Sequence, residues 1–250
     1  MNDILVSVII PAYNCGKYIS KTIESVLAQD VSLEILIIND CSPEPIDEII
    51  EKYCVRDNVF YIKNEKNLGV AETRNKGVKL ARGEYVAFLD SDDYWCENKL
   101  RKQLDAIKKT KTVLCATARE LILPNGEETG RVIPVKPEIT YKDLLKQNPI
   151  NCSSVLIKRE VALEFPMHHA DSHEDYIMWL EILQKYGRAC AVNEPLLKYR
   201  LSTTGKSGNK LHSAKMTFKV YRYMGFGLAK SVVCFASYAF NGVKKYLHKA

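Results

Sequence analysis

Asp90-Ser91-Asp92-Asp93 sets three carboxylates within four positions, directly after the apolar run 85–89. A short apolar run reads as a buried β-strand, so these acids stand at a strand end, where they repel one another strongly. A hard cation would relieve them. Mg²⁺ and Mn²⁺ prefer oxygen ligands and are often held by one or two carboxylates together with substrate phosphates. The plainer reading is a polar turn with Asp93 near the start of the next helix. Asp40 follows a second apolar run, 33–38, and could accept hydrogen bonds from a base or a ribose; its plainer reading is a turn-forming Asp before Ser42-Pro43.

The elements that must position these residues are legible as alternating patterns. Strands are expected at 6–10, 33–39, 59–63, 85–89 and 112–117, and helices between them at 17–29, 45–54, 69–81 and 97–109. Short loops and this alternation give an α/β fold, a mostly parallel, Rossmann-like mixed sheet flanked by helices. Ligands in such sheets sit beyond the carboxyl ends of the strands, where Asn39-Asp40, Asp90-Ser91-Asp92 and Pro11-Ala12-Tyr13-Asn14 all fall. Beyond 120 the rhythm changes: a strand and turn at 121–126, a short helix at 140–148, a strand at 152–157, a strong helix over 173–185 ended by Gly187, and a strand at 196–201. The organisation expected is an α/β half of the kind that binds nucleotides in many folds, 1–118, a second half of the same domain, 119–211, and a tail, 212–250; the family resemblance given below makes the first half nucleotide-sugar-binding and the second acceptor-binding and catalytic.

At 250 residues with 46% hydrophobic content, the chain can bury a sizeable core. Its eight cysteines are scattered without a C-x-x-C pair, which argues against zinc and against a disulfide framework and fits a reducing cytosol. No basic stretch followed by a longer apolar segment opens the chain, so no signal peptide is expected. The net charge of +6 hides an asymmetry: residues 1–194 carry 25 basic and 30 acidic side chains, whereas after Glu194 there are 11 Lys or Arg and no acid. Such an end suggests an anionic surface. No recognition-helix, zinc-finger or RNP pattern is present, so nucleic acid is not expected. In the tail, Lys230, Ser237, Asn241, Lys244 and His248 fall on one helical stripe and Leu228, Val232, Phe235, Ala239, Val243 and Tyr246 on another. The uncharged run 231–243 is far shorter than the roughly 20 residues needed to span a bilayer. A basic amphipathic helix of this kind lies on an anionic membrane surface, or else packs on its own domain or on a second copy of the chain as a homodimer.

Several segments coincide in order and spacing: Ser7–Asn14, Glu34–Ser42, Asn67–Gly77, Leu89–Asp93 and His173-Glu174-Asp175. Over about 1–200 they closely resemble glycosyltransferase family 2, inverting enzymes of the GT-A fold. More softly, Tyr199-Arg200, Ser207–Lys210 and Val220–Tyr223 look like bacterial enzymes that build O-antigen, capsule or teichuronic-acid repeat units. The resemblance implies a nucleotide-sugar set of Pro11, Ala12, Tyr13, Asn14, Asp40, Arg74, Asp90, Ser91, Arg200 and Lys206. In it Asp40 takes the uracil N3–H, Tyr13 lies near the base, Asp90 contacts the ribose, and Asp92, with Asp90, holds Mn²⁺ or Mg²⁺. Arg74 would hold the nucleotide side, although a surface arginine fits the sequence nearly as well. Arg200 and Lys206 would bind diphosphate, with the loop 202–205 between them as a lid. Relatives often carry a His after the Tyr-Arg pair; Leu201-Ser202-Thr203 stand there, and His212 is the available substitute.

Inverting transfer needs a carboxylate to take the proton from an acceptor hydroxyl. The resemblance gives that role to Asp175, with Glu174 next in line, and places Trp179 at the acceptor pocket. Each has a plainer reading. Ser172-x-x-Asp175 matches a capping box, a helix N-terminus would lower the Asp175 pKa, and Trp179 could be core. The function expected is metal-dependent transfer of a hexose, glucose or galactose, from a UDP-sugar to a sugar on a polyprenyl diphosphate, peripherally on the cytoplasmic face of a bacterial inner membrane. The alternatives are an enzyme using another nucleotide-sugar and a non-catalytic carbohydrate-binding or scaffold subunit. The absence of a Gln-x-x-Arg-Trp motif favours single-sugar transfer over processive synthesis.

Overall fold

Alternation at period two decides the two faces of the first strand: Val6, Val8 and Ile10 belong to one buried cluster and Ile9 to another. The computed structural model describes residues 4–201 and 210–247. In chain order the elements are β1 (Val6–Ala12), α1 (Ile19–Leu27), β2 (Leu33–Asn39), α2 (Asp47–Glu51), β3 (Val59–Lys63), α3 (Val70–Leu80), β4 (Tyr85–Phe88), β5 (Tyr94–Trp95), α4 (Lys99–Thr110), β6 (Leu114–Ile122), β7 (Glu128–Ile133), β8 (Glu138–Thr140), α5 (Tyr141–Lys146), β9 (Leu156–Lys158), α6 (Arg159–Glu164), α7 (Glu174–Tyr186), β10 (Arg188–Arg200), α8 (Lys210–Tyr223) and α9 (Leu228–Leu247).

The ten strands form one mixed sheet in the order β3-β2-β1-β4-β9-β6-β10-β5, with β7 added to β6 and β8 to β10. Strands β1, β2, β3, β4, β6 and β10 run one way, and β5, β7, β8 and β9 run against them. The antiparallel β9 joins the two parallel groups, so both halves of the chain share one sheet and their common carboxyl edge. One face is covered by α1, α2 and α4 through Ile23, Ile50 and Leu100, and the other by α3, α5, α6 and α7 through Val78, Leu144, Val161 and Ile177. Helix α3 lies tight on β1: a Cβ added at Gly77 would come within 2.5 Å of the Ile9 side chain.

Strand β10 starts at Arg188, well before the expected 196, because its first half is irregular: the pairing with β6 shifts register around Pro195. A proline and a bulge inside a strand hide it from a period-two reading. The helix expected from the stripes of the tail is α9, and a further helix, α8, precedes it. Helices α8 and α9 form a hairpin turned at Gly225 (φ 76°) and packed on the domain. Met216, Val220 and Tyr221 are buried, the Tyr221 hydroxyl donates to Leu145 O at 3.0 Å, and Phe218 meets Phe235 edge-on at 5.9 Å. The stripe expected to face solvent turns partly inward: Ser237 and Asn241 are half-buried, with Asn241 Nδ2 donating to Ser237 O and Lys146 O. His248 lies outside the described residues. No described helix is long and apolar enough to cross a membrane.

Candidate active site

The carboxyl ends of β1, β2, β4 and β10 open into a cleft of about 840 Å³. This is the edge where parallel α/β sheets bind ligands, and the size suits one. Pro11, Ala12, Tyr13, Asn14, Asp40, Arg74, Asp90, Ser91, Asp92, Glu174, Asp175 and Arg200 all line it. Residues drawn from positions 11 to 200 thus meet in one place. Tyr13 is 47% exposed, so its ring is available as a wall rather than spent on the core.

The acidic loop after β4 is held from three sides. The Thr22 hydroxyl of α1 reaches the carbonyls of Ser91 (2.9 Å) and Asp93 (2.7 Å). Asp90 N–H donates to Ser153 Oγ at 3.1 Å. Arg200 donates its backbone N–H to Asp93 Oδ1 and its Nε–H to Asp92 O, both at 2.8 Å, while its guanidinium lies 4.3 Å from the Tyr18 ring centroid. Asp93 is no helix cap, since α4 begins only at Lys99. Burial, then the charges of Asp92 and Asp90, push the Asp93 carboxyl well above its ordinary range, so it keeps its proton to higher pH than a free carboxyl. Of the three acids, Asp90 and Asp92 line the cleft and Asp93 is buried behind them. Burial and Asp90 push Asp92 itself up to about 6.

Asp40 is buried at the amino end of α3. It accepts Asn64 Nδ2–H and Leu68 N–H on Oδ1 and Gly69 N–H on Oδ2, each at 2.8 Å. Gly69, at φ 83°, makes that approach cheap. A carboxylate oxygen has two lone pairs, so Oδ2 keeps one for a ligand donor. Asp40 therefore fixes the turn that leads into α3 and still faces the cleft.

Arg74 is a buried bridge, not a surface residue. Its guanidinium is 2.5 Å from Asp90 Oδ1 and 3.3 Å from Glu174 Oε1. Burial works against its charge, and Asp90, Cys152 and Glu174 outweigh burial, so its pKa is raised. Glu174, expected as the second candidate base, is thus committed to an ion pair. Asp175 is different. The capping box is not formed: His173 is the N-cap without a side-chain cap bond, and the Ser172 hydroxyl donates instead to Met216 O. Burial, then the Glu174 charge, raises Asp175 to about 6, against the opposing pull of Arg74 and His173. The lowering expected from the helix end is overcome by burial.

Trp179 corrects its expectation. It is fully buried, its ring 6.5 Å from that of Phe88, and it does not line the cleft. One helical turn beyond Asp175 points into the apolar layer under the sheet. Lys206 and the proposed lid 202–205 lie outside the described residues. His212 is exposed on α8 and is absent from the cleft wall. Thr22, Tyr18 and Ser153, which hold the site, carry no motif of their own. Among the described residues no group of three or more His, Cys, Asp or Glu is placed to hold a metal. The oxygen pair Asp90 and Asp92, crowded enough to raise Asp92, does fit Mg²⁺ or Mn²⁺ completed by phosphates and water.

The family model described as glycosyl transferase family 2 matches residues 7–162. The chain belongs to glycosyltransferase family 2. It is 38% identical, over 97% of its length and 98% of the relative's, to TuaG of Bacillus subtilis, named as a teichuronic acid biosynthesis glycosyltransferase. It is 36% identical to WfaP of Escherichia coli, named as a UDP-Glc:α-D-GlcNAc-diphosphoundecaprenol β-1,3-glucosyltransferase, over 97% and 95% of the two chains. The structure of S. aureus TarS in complex with UDP-GlcNAc superposes with a TM-score of 0.74 at 20% identity, over 94% of this chain and 72% of that one. That likeness supports the GT-A fold.

Proposed function

We propose that this glycosyltransferase moves a hexose, glucose or galactose, from a UDP-sugar to a sugar carried on a polyprenyl diphosphate, with inversion, in the assembly of a bacterial surface polysaccharide at the cytoplasmic face of the membrane. The observation that carries the reading is Asp175, raised to about 6 and facing the same cleft as the Asp90–Asp92 pair. The name of WfaP supports the donor and acceptor classes.

In this reading the uridine lies along Pro11, Ala12 and Tyr13, with Asp40 accepting from the base and Asp90 from the ribose. Arg200, already fixed to the Asp92 and Pro124 carbonyls, holds the loop against the diphosphate. Asp90 and Asp92 would hold a divalent cation, which would supply Lewis-acid stabilisation to the departing diphosphate. Asp175 takes the proton from the acceptor hydroxyl as its oxygen bonds the anomeric carbon and the bond to UDP breaks. A base with a pKa near 6 is deprotonated at neutral pH and still basic enough to act.

A donor screen with purified protein, Mn²⁺ and a synthetic GlcNAc-diphosphate-lipid acceptor tests this. UDP-glucose or UDP-galactose should give a transfer product that disappears with excess EDTA. Transfer from no UDP-hexose would overturn the donor assignment, and full activity in EDTA would overturn the metal role.

A further inference from the structure

Helix α9 is apolar on both sides. Toward the domain it turns Ser231, Cys234, Phe235 and Tyr238, which are buried or half-buried. Away from the domain it presents Leu228, Val232, Val233 and Phe240, exposed by 66%, 50%, 68% and 70%. The other outward positions, 229, 236 and 239, are alanines. Among the described side chains of 228–240, Lys230 is the one exposed charge, and it lies over the Phe226 ring at 3.7 Å. A helix with large apolar side chains on opposite sides belongs between two apolar phases. The domain is one, and the second lies outside.

The charge of this end selects the second phase. Helices α8 and α9 carry seven Lys or Arg between them and no acid. On α8, Lys215 is exposed and Lys219 is paired at 2.5 Å with Asp171 from the loop before α7. A second copy meeting this face about a twofold axis would set one basic end against another, whereas an anionic bilayer complements it. The hairpin also reaches the cleft: Ser213 O of α8 lies 3.3 Å from Nε2 of His173, a cleft residue beside Asp175.

We propose that the outer face of α9 docks on a bilayer containing anionic lipid, with Val233 and Phe240 entering the boundary between headgroups and acyl chains and the basic residues remaining among the headgroups. Its role in the reaction rests on the lipid-linked acceptor reading above. This face differs from the one expected from the sequence, where Phe235 was on the membrane side; Phe235 is packed against Phe218.

Co-sedimentation of the full chain with acceptor-free vesicles tests the docking without reference to transfer. The wild type should bind phosphatidylcholine–phosphatidylglycerol vesicles more strongly than phosphatidylcholine alone, and high salt should weaken binding without abolishing it. The pair Val233→Asp and Phe240→Asp should reduce binding roughly ten-fold or more, leaving the melting temperature and UDP affinity unchanged. Should the pair lower the melting temperature, Val233→Ser with Phe240→Ser provides the same comparison. Equal binding by wild type and variant, equal binding to both vesicle types, or a wild-type dimer that the variant converts to a monomer with no vesicle binding in either would overturn the proposal. Vesicle binding by a chain that transfers to no lipid-linked acceptor would leave the docking intact and remove only the proposed function.

Discussion

Asp175 is where sequence and structure give different physics to the same residue. From sequence alone a carboxylate at a helix start is a cap with a lowered pKa; half-buried beside Glu174, it is raised to about 6. The deprotonated fraction rises as pH passes through about 6, so the acid limb of kcat/KM should lie there. Asp175→Asn should abolish transfer by roughly 10²–10⁴-fold while leaving UDP affinity unchanged. Glu174→Gln removes a neighbouring negative charge and should move the acid limb to lower pH. Measured pH–rate profiles decide: activity in Asp175→Asn with its acid limb unmoved would remove Asp175 from the role of base. Asp40, Asp90 and Asp92 were legible because they follow apolar strands, whereas Glu174 and Asp175, at the start of α7, were picked out by the family resemblance. Thr22 was not, since a hydroxyl on a helix reveals nothing until the loop it holds is in place. Trp179 was misplaced because a spacing of one turn specifies a helix face but not what lies beneath it.

At the scale of elements, α3, α7 and the loop after β4 are joined through Arg74, and the strength of that joint is testable. Arg74→Met would leave Asp90 and the buried Glu174 without their shared cation, and removing one partner of a buried pair costs about 3–5 kcal/mol. Arg74→Lys keeps the charge but loses the fork that reaches two carboxylates at once, so it should recover part of the loss. Urea unfolding measures both; a loss under about 1 kcal/mol in Arg74→Met would show that the bridge does little for the fold. The central strands were readable as elements because their apolar runs have turns between them. Strand β10 was readable only in its second half, because Pro195 and the shifted register break the pattern. The α9 stripe was readable as a helix but not as a face: Asn241, polar on the wheel, spends its amide on backbone carbonyls of α5 and α9. Apolar residues that outnumber one face leave the inward side undecided.

For the molecule as a whole, one sheet gathers the cleft on a common edge while the basic hairpin is built onto the layer behind α7. That layer is continuous. The Tyr176 hydroxyl of α7 donates to Leu144 O, the Tyr221 hydroxyl of α8 to Leu145 O, and Tyr238 of α9 packs against Tyr176 with centroids 6.0 Å apart. The tail is therefore part of the domain's core on its inner side, whatever its outer side meets. A chain ending at residue 209 loses the side chains that cover Tyr176 and leaves apolar surface in water. Each buried Met, Val or Tyr removed costs roughly 1.5–3 kcal/mol, and a chain of this size shifts about 2–4 °C per kcal/mol. Its melting temperature should fall by at least about 10 °C, with lower stability but the same UDP contacts, since among the described residues none that lines the cleft lies beyond Leu201. Calorimetry of the shortened chain, with UDP titrated into both forms, checks this. An unchanged melting temperature would mean that α8 and α9 are appended to the fold rather than built into it. A lost UDP affinity in a chain still folded would mean that the hairpin acts on the cleft through the Ser213–His173 contact rather than through stability.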